Sequence, residues 1–190
     1  MLGPMNVALP KSLNVDQFLA WAARQGEGKY ELVDGVVIMQ QTQQWGHAKV
    51  KARVFKALER ALEGRGLQFF AAPDGMTVRI NSRMAFEPDA LVAPLPEPAD
   101  DSLEIPNPVI VVEVLSPSTA RIDATTKLRG YFEVESVQHY LILDPEDRTV
   151  THHKRGATAI ETRVVSEGSL SLNPPGLELR LADIFGAARA

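Results

Sequence analysis

The sequence predicts an α/β domain built on a central mixed β-sheet with helices on both sides. Three observations carry that expectation. The run Val109-Ile110-Val111-Val112-Glu113-Val114-Leu115 is nearly continuous in β-branched and apolar residues, the pattern of a strand buried on both faces. A break, a helical stretch and a second apolar run at Val137–Leu143 follow it. That order is a β-α-β unit, which predicts a parallel strand pair with a right-handed crossover. Further strand-like segments with turn signals lie on either side of the unit and make the sheet mixed.

The other elements follow in chain order. Leu13-Asn14-Val15-Asp16-Gln17-Phe18 reads as a helix start. Asn14 caps, Gln17 reaches back as the third helical residue, and Leu13 staples onto Phe18. This helix runs to about Arg24. Tyr30–Val33 and Val36–Met39 flank Asp34-Gly35, a strong hairpin signal. A second helix fits about Trp45 to Glu63 and stops at Gly64 and Gly66. Strands are expected at about Leu67–Ala72, Met76–Ile80 and Phe86–Ala93, before a proline-rich acidic loop at Pro94–Pro108. Ser116-Pro117-Ser118-Thr119 reads as the cap of a helix over about Ala120 to Val134. The tail adds two or three strands, among them Thr149–Lys154 and Ile160–Val165, and a short helix near Leu181–Phe185.

The bulk properties narrow the classes of function. A chain of 190 residues, 45% hydrophobic and 23% charged, suits one domain over 1–190, with loose ends at about 1–12 and 187–190. No apolar run approaches the roughly 20 residues of a membrane span, and Met1–Lys11 has no secretory pattern, so a cytoplasmic location is expected. Having no cysteine excludes disulfides, thiol nucleophiles and cysteine-bound zinc, so any metal must use oxygen or imidazole ligands. The net charge of −4 argues against constitutive, nonspecific nucleic-acid binding but is compatible with a local basic patch. A serine-hydrolase elbow and a phosphate-binding glycine loop are both absent.

Glu113 is the most unusual residue, because a carboxylate within an apolar strand must be paired, protonated or bound to a metal. A glutamate escaping into solvent at a strand end is the equally weighted alternative. Asp89 follows Pro88 at the start of another apolar strand, Ala90-Leu91-Val92-Ala93. Two carboxylates on neighbouring strands can hold Mg²⁺ or Mn²⁺, which prefer hard oxygen ligands. Asp123, Lys127 and Tyr131 are spaced four apart and share a helical stripe, which is also the spacing of an ordinary surface ion pair. His47 falls on the apolar face of the second helix with Val50, Val54, Ala57, Leu58 and Ala61, where a core histidine is the commoner outcome. Lys49, Arg53, Lys56 and Arg60 form a basic row that fits a phosphate backbone or a solvated helix exterior. His152 and His153 read as surface or edge residues.

Taken in order, these residues resemble the PD-(D/E)XK nuclease superfamily, and more narrowly the widespread bacterial family of restriction-endonuclease-like proteins. The matching stretches are Tyr30-Glu31-Leu32-Val33-Asp34-Gly35, His47, Pro88-Asp89 and Glu113-Val114-Leu115-Ser116-Pro117-Ser118. Asp123, Lys127, Tyr131 and His139-Tyr140-Leu141-Ile142-Leu143-Asp144-Pro145 complete them. The resemblance implies a restriction-endonuclease-like fold and Mg²⁺- or Mn²⁺-dependent DNA hydrolysis. It also implies metal ligands Asp89, Glu113 and the Val114 carbonyl, a further acid at Glu31, and often a homodimer. Leu115 stands where the superfamily's motif has lysine, and Lys127 is the substitute. The rival expectation is a nuclease fold without catalysis, serving as a binding or regulatory module.

Overall fold

The computed structural model describes residues 12–25, 28–40, 43–115 and 123–186. The expected Ser116–Thr119 cap and both chain ends fall outside them.

Helix α1 (Val15–Ala22) starts on the expected capping box, with Asn14 Oδ1 accepting from the Gln17 N–H at 2.8 Å and Gln17 returning the bond at 3.0 Å. Leu13 packs into the cluster that contains Phe18, closing the staple. Strands β1 (Tyr30–Val33) and β2 (Val36–Met39) form the expected hairpin. Asp34 and Gly35 both have positive φ, at 50° and 80°, as a two-residue turn of this hand requires. Helix α2 spans Trp45–Leu62.

Strands β3 (Phe69–Pro73), β4 (Val78–Asn81), β5 (Met84–Phe86), β6 (Ala90–Pro94) and β7 (Ile110–Val114) lead to helix α3 (Asp123–Glu133). Strands β8 (His139–Asp144), β9 (Thr149–Arg155), β10 (Ile160–Val165), β11 (Ser169–Leu172) and β12 (Leu177–Arg180) precede helix α4 (Leu181–Phe185). The main sheet has six strands in the order β10-β9-β8-β7-β6-β3. It is mixed as expected: β7 and β8 are parallel, and its other pairs are antiparallel.

One expected strand, Phe86–Ala93, proves to be two. Strand β5 belongs to a separate four-stranded sheet, β2-β1-β5-β4, and β6 to the main sheet. Glu87-Pro88-Asp89 is the corner between them. Proline has no N–H to give to a ladder and therefore interrupts the strand there. The N–H groups on either side of it go elsewhere, Glu87's to the Glu31 side chain at 3.0 Å and Asp89's to the Val112 carbonyl at 2.8 Å. The corner thus delivers Asp89 to the seam between the sheets.

Side-chain alternation gives the main sheet two buried faces. Ala90, Val92, Ile110, Val112, Val114, Leu141 and Leu143 pack beneath α2, α4 and the β11–β12 ribbon. Leu91, Ala93, Val111, Tyr140 and Ile142 meet Tyr131 of α3 and Val78 and Phe86 of the smaller sheet. Helix α1 covers that sheet through Val15, Phe18, Leu32, Val37 and Ala85. No helix among the described residues is long and apolar enough to cross a membrane.

The histidines of β9 depart from expectation. His152 and His153 are buried, because β10 continues the sheet past β9 and makes it an inner strand. Arg163 Nε donates to His152 Nδ1 at 3.2 Å, which leaves the proton on the other nitrogen to donate to His139 Nδ1 at 2.9 Å. Burial above all holds both His139 and His152 down at about 4, and for His152 the neighbouring His139 and Arg163 add to it. The stability each contributes is complete above the ordinary histidine value of about 6.5 and is lost as pH falls towards 4. NMR titration of the imidazole signals should show both rings neutral at pH 5.5. Protonation of either near pH 6.5 contradicts this packing.

Candidate active site

Glu113 lies on β7 with odd parity, on the sheet face that meets α3. Lys127 and Tyr131 stand one turn apart on that helix and both reach it. Lys127 Nζ is 2.9 Å from Glu113 Oε1, and the Tyr131 hydroxyl donates to the same oxygen at 2.6 Å. Lys127 Nζ is also 2.9 Å from Glu31 Oε1 of β1. The ammonium therefore bridges the two sheets, and the lysine is only 1% exposed. Gly130 allows the close approach of α3, since a Cβ there would sit 2.5 Å from Phe86 Cε2.

Asp89 anchors a second, adjoining group. Its Oδ2 accepts the Val114 N–H at 2.7 Å, which fixes the carboxylate against the end of β7. Its Oδ1 lies 3.0 Å from Lys29 Nζ and 2.8 Å from Lys51 Nζ, and both lysines also contact Asp74. His47 Nε2 donates to the Val114 carbonyl at 2.6 Å. The Val114 peptide is thus held at both ends, by Asp89 and by His47.

The two central carboxyls are pushed apart. Burial drives Glu113 up to about 8 against the pull of Lys127, with Asp89 and Glu31 adding to the rise. For Asp89 burial works in the same direction but is outweighed by Lys29, Lys51 and the Val114 N–H, which hold it below the usual range. Burial also raises Glu87, to about 7, and Tyr131. Lys29 is raised despite its burial, because Asp89, Asp74 and Glu113 surround it. Asp89 is the permanent anion here, and Glu113 is the group whose charge depends on what cation it meets.

Asp89 and Glu113 carry carboxylate oxygens of the kind a hard divalent cation takes, and the Val114 carbonyl beside them could add a third, with water to complete the shell. Among the described residues no three acidic or histidine side chains gather around one point, so a metal held here would need the main-chain carbonyl as a third donor. Glu31 is turned instead to Lys127 and the Glu87 N–H.

Most of the residues singled out from the sequence converge. Glu31, Glu113, Lys127 and Tyr131 form one network, and Asp89 and His47 join it through Val114. Asp123 opens α3, but its side chain is outside the described residues. Lys49, Lys56 and Arg60 are exposed and Arg53 half-buried. At about 100° per residue, this row sits on the opposite arc of α2 from Lys51, away from the carboxylates. Sequence reasoning missed Lys29, Lys51 and Asp74. Lys51 carried a usable signal, being a lysine on the buried stripe of His47, Val54 and Leu58.

Comparison with known proteins places the chain in a family. The profile of the Uma2 family, described as "Putative restriction endonuclease", matches residues 15–183. The chain belongs to the Uma2 family. Two uncharacterised proteins of Synechocystis sp. are similar to it. One, sll1609, is 27% identical over 153 residues, covering 80% of this chain and 85% of the relative. The other, slr1290, is 28% identical over 131 residues, covering 69% and 68%. A crystal structure from Anabaena variabilis, titled as a "putative nuclease belonging to DUF820", superposes with a TM-score of 0.72 at 18% identity. It covers 91% of this chain and 97% of its own, and it shows the shared nuclease-like fold. The Uma2 assignment agrees with the PD-(D/E)XK resemblance read from the sequence.

Removing the bridging ammonium leaves two buried carboxylates facing each other. Lys127→Met should cost about 3–5 kcal/mol, measured by urea unfolding. Adding Glu113→Gln to it should recover part of the loss. A single-variant loss below about 1 kcal/mol contradicts the bridge.

Proposed function

We propose that this chain is a divalent-metal-dependent endonuclease that hydrolyses phosphodiester bonds in DNA. The observation that carries the reading is the position of Lys127, 2.9 Å from Glu113 Oε1 although the motif position itself is Leu115. The helix after the strand supplies the ammonium that the strand lacks.

Asp89, Glu113 and the Val114 carbonyl would hold Mg²⁺ or Mn²⁺. When bound, the cation supplies Lewis acidity and makes an attacking water easier to deprotonate. Lys127 orients that water and offsets negative charge that develops on the phosphate oxygens. Glu31 holds Lys127 in place, and Tyr131 fixes the Glu113 carboxyl through its hydroxyl. His47 orients the Val114 carbonyl. Lys29 and Lys51 balance Asp89, and in a substrate complex they would face phosphate. A homodimer would let each subunit cut one strand of a duplex.

One observation favours a second reading. Lys29 and Lys51 already satisfy Asp89 with positive charge, as a nuclease fold retained for binding alone would require.

Supercoiled plasmid, linear duplex and single-stranded RNA incubated with Mg²⁺ or Mn²⁺ separate the two. The endonuclease reading predicts DNA cleavage that EDTA abolishes and that Asp89→Ala lowers by at least about 100-fold. Cleavage that survives Asp89→Ala contradicts the assigned site. No cleavage of any substrate, with no Mn²⁺ binding by calorimetry, supports the binding module.

A further inference from the structure

Strand β10 ends the main sheet, and among the described residues no further strand pairs with its outer edge. Its pairing with β9 is regular over six residue pairs, from Ile160↔Arg155 to Val165↔Val150, without a bulge. Ile160-Glu161-Thr162-Arg163-Val164-Val165 contains neither proline nor lysine, the residues that blunt such edges. Ile160 and Val164 are 41% and 65% exposed. A regular six-residue edge with exposed apolar side chains is a template for another strand.

The hydrogen-bond parity decides which groups that strand would meet. The Gly156 N–H bonds to the Ala159 carbonyl at 3.0 Å, and the Arg155 N–H bonds across β8 to the Gln138 carbonyl at 2.9 Å. Arg155 and Ile160 are therefore a non-hydrogen-bonded pair of the β9–β10 ladder. It follows that the main-chain groups of Ile160, Thr162 and Val164 point outward, whereas those of Glu161, Arg163 and Val165 serve β9.

The sequence is self-complementary about Thr162. Two β10 strands set antiparallel across a two-fold axis at that residue place Thr162 opposite Thr162, Ile160 opposite Val164 and Glu161 opposite Arg163. The outward-pointing groups become the hydrogen-bonded pairs. The two Glu161–Arg163 pairs fall at the non-hydrogen-bonded positions, where facing side chains are closest. In the single chain Arg163 turns inward to His152 Nδ1 at 3.2 Å, and pairing with Glu161 of a second copy would draw its guanidinium outward.

We propose that β10 is a dimerisation strand, through which a second copy of this chain extends the six-stranded sheet across a two-fold axis. Isologous contacts of this kind are the commonest route to closed dimers. Association in the micromolar range is expected of a contact built on one strand pair. It does not rest on the endonuclease reading, and a dimer without cleavage would leave the two separable.

Sedimentation equilibrium of the full chain at 1–100 µM tests this. Wild type is expected to dimerise, and Glu161→Arg, which sets arginine opposite arginine twice, to weaken association by at least about tenfold. Arg163→Glu should do the same. Mixing the two variants restores both charge pairs and should yield a heterodimer that neither forms alone. A wild type that stays monomeric at 100 µM overturns the proposal. So does a dimer indifferent to Glu161→Arg, an exposed substitution whose folding circular dichroism would verify.

Discussion

An ammonium between two buried carboxylates organises this molecule. Lys127 reaches Glu113 on the main sheet and Glu31 on the smaller one, each at 2.9 Å. A buried ammonium needs acceptors around it, so these contacts also tie the two sheets and α3 together. Tyr131 contributes a hydrogen bond to the same Glu113 oxygen and packs its ring against Phe86 and Tyr140. Structural and chemical demands thus fall on one lysine.

The Glu87-Pro88-Asp89 corner makes the arrangement reachable. By ending β5 and starting β6 in another sheet, it sets Asp89 against the Val114 peptide and the Glu87 N–H against Glu31. The carboxyls then sit in different surroundings although they are close in the fold. Asp89, beside Lys29 and Lys51, stays ionised, and Glu113, buried with Asp89 and Glu31 as acidic neighbours, rises to about 8. That separation gives one fixed anion and one whose charge answers to a neighbouring cation.

Elements with local causes were legible in the sequence. The β1–β2 hairpin follows from Asp34-Gly35, and the α1 start from Asn14 and Gln17. Glu113 stood out because its neighbours are all apolar. What stayed hidden depends on tertiary neighbours. The split of Phe86–Ala93 needed the knowledge that two sheets compete for that stretch, which Pro88 only hints at. The burial of His152 depends on β10 lying outside β9, and the Lys29–Asp74–Lys51 cluster joins three segments far apart in the chain. Lys127 was found through the family resemblance. Its four-residue spacing from Asp123 and Tyr131 suits an ordinary surface pair equally well.

On the proposed endonuclease reading, Lys127 serves chemistry at a metal site that Asp89 and Glu113 would hold without its help. Mn²⁺ binding, followed by electron paramagnetic resonance alongside single-turnover DNA cleavage, tests it for wild type, Asp89→Asn and Lys127→Met. The account predicts that Asp89→Asn loses both binding and cleavage. Folded Lys127→Met should keep Mn²⁺ binding and lose cleavage. Cleavage at the wild-type rate by Lys127→Met, or undiminished Mn²⁺ binding by Asp89→Asn, would contradict it.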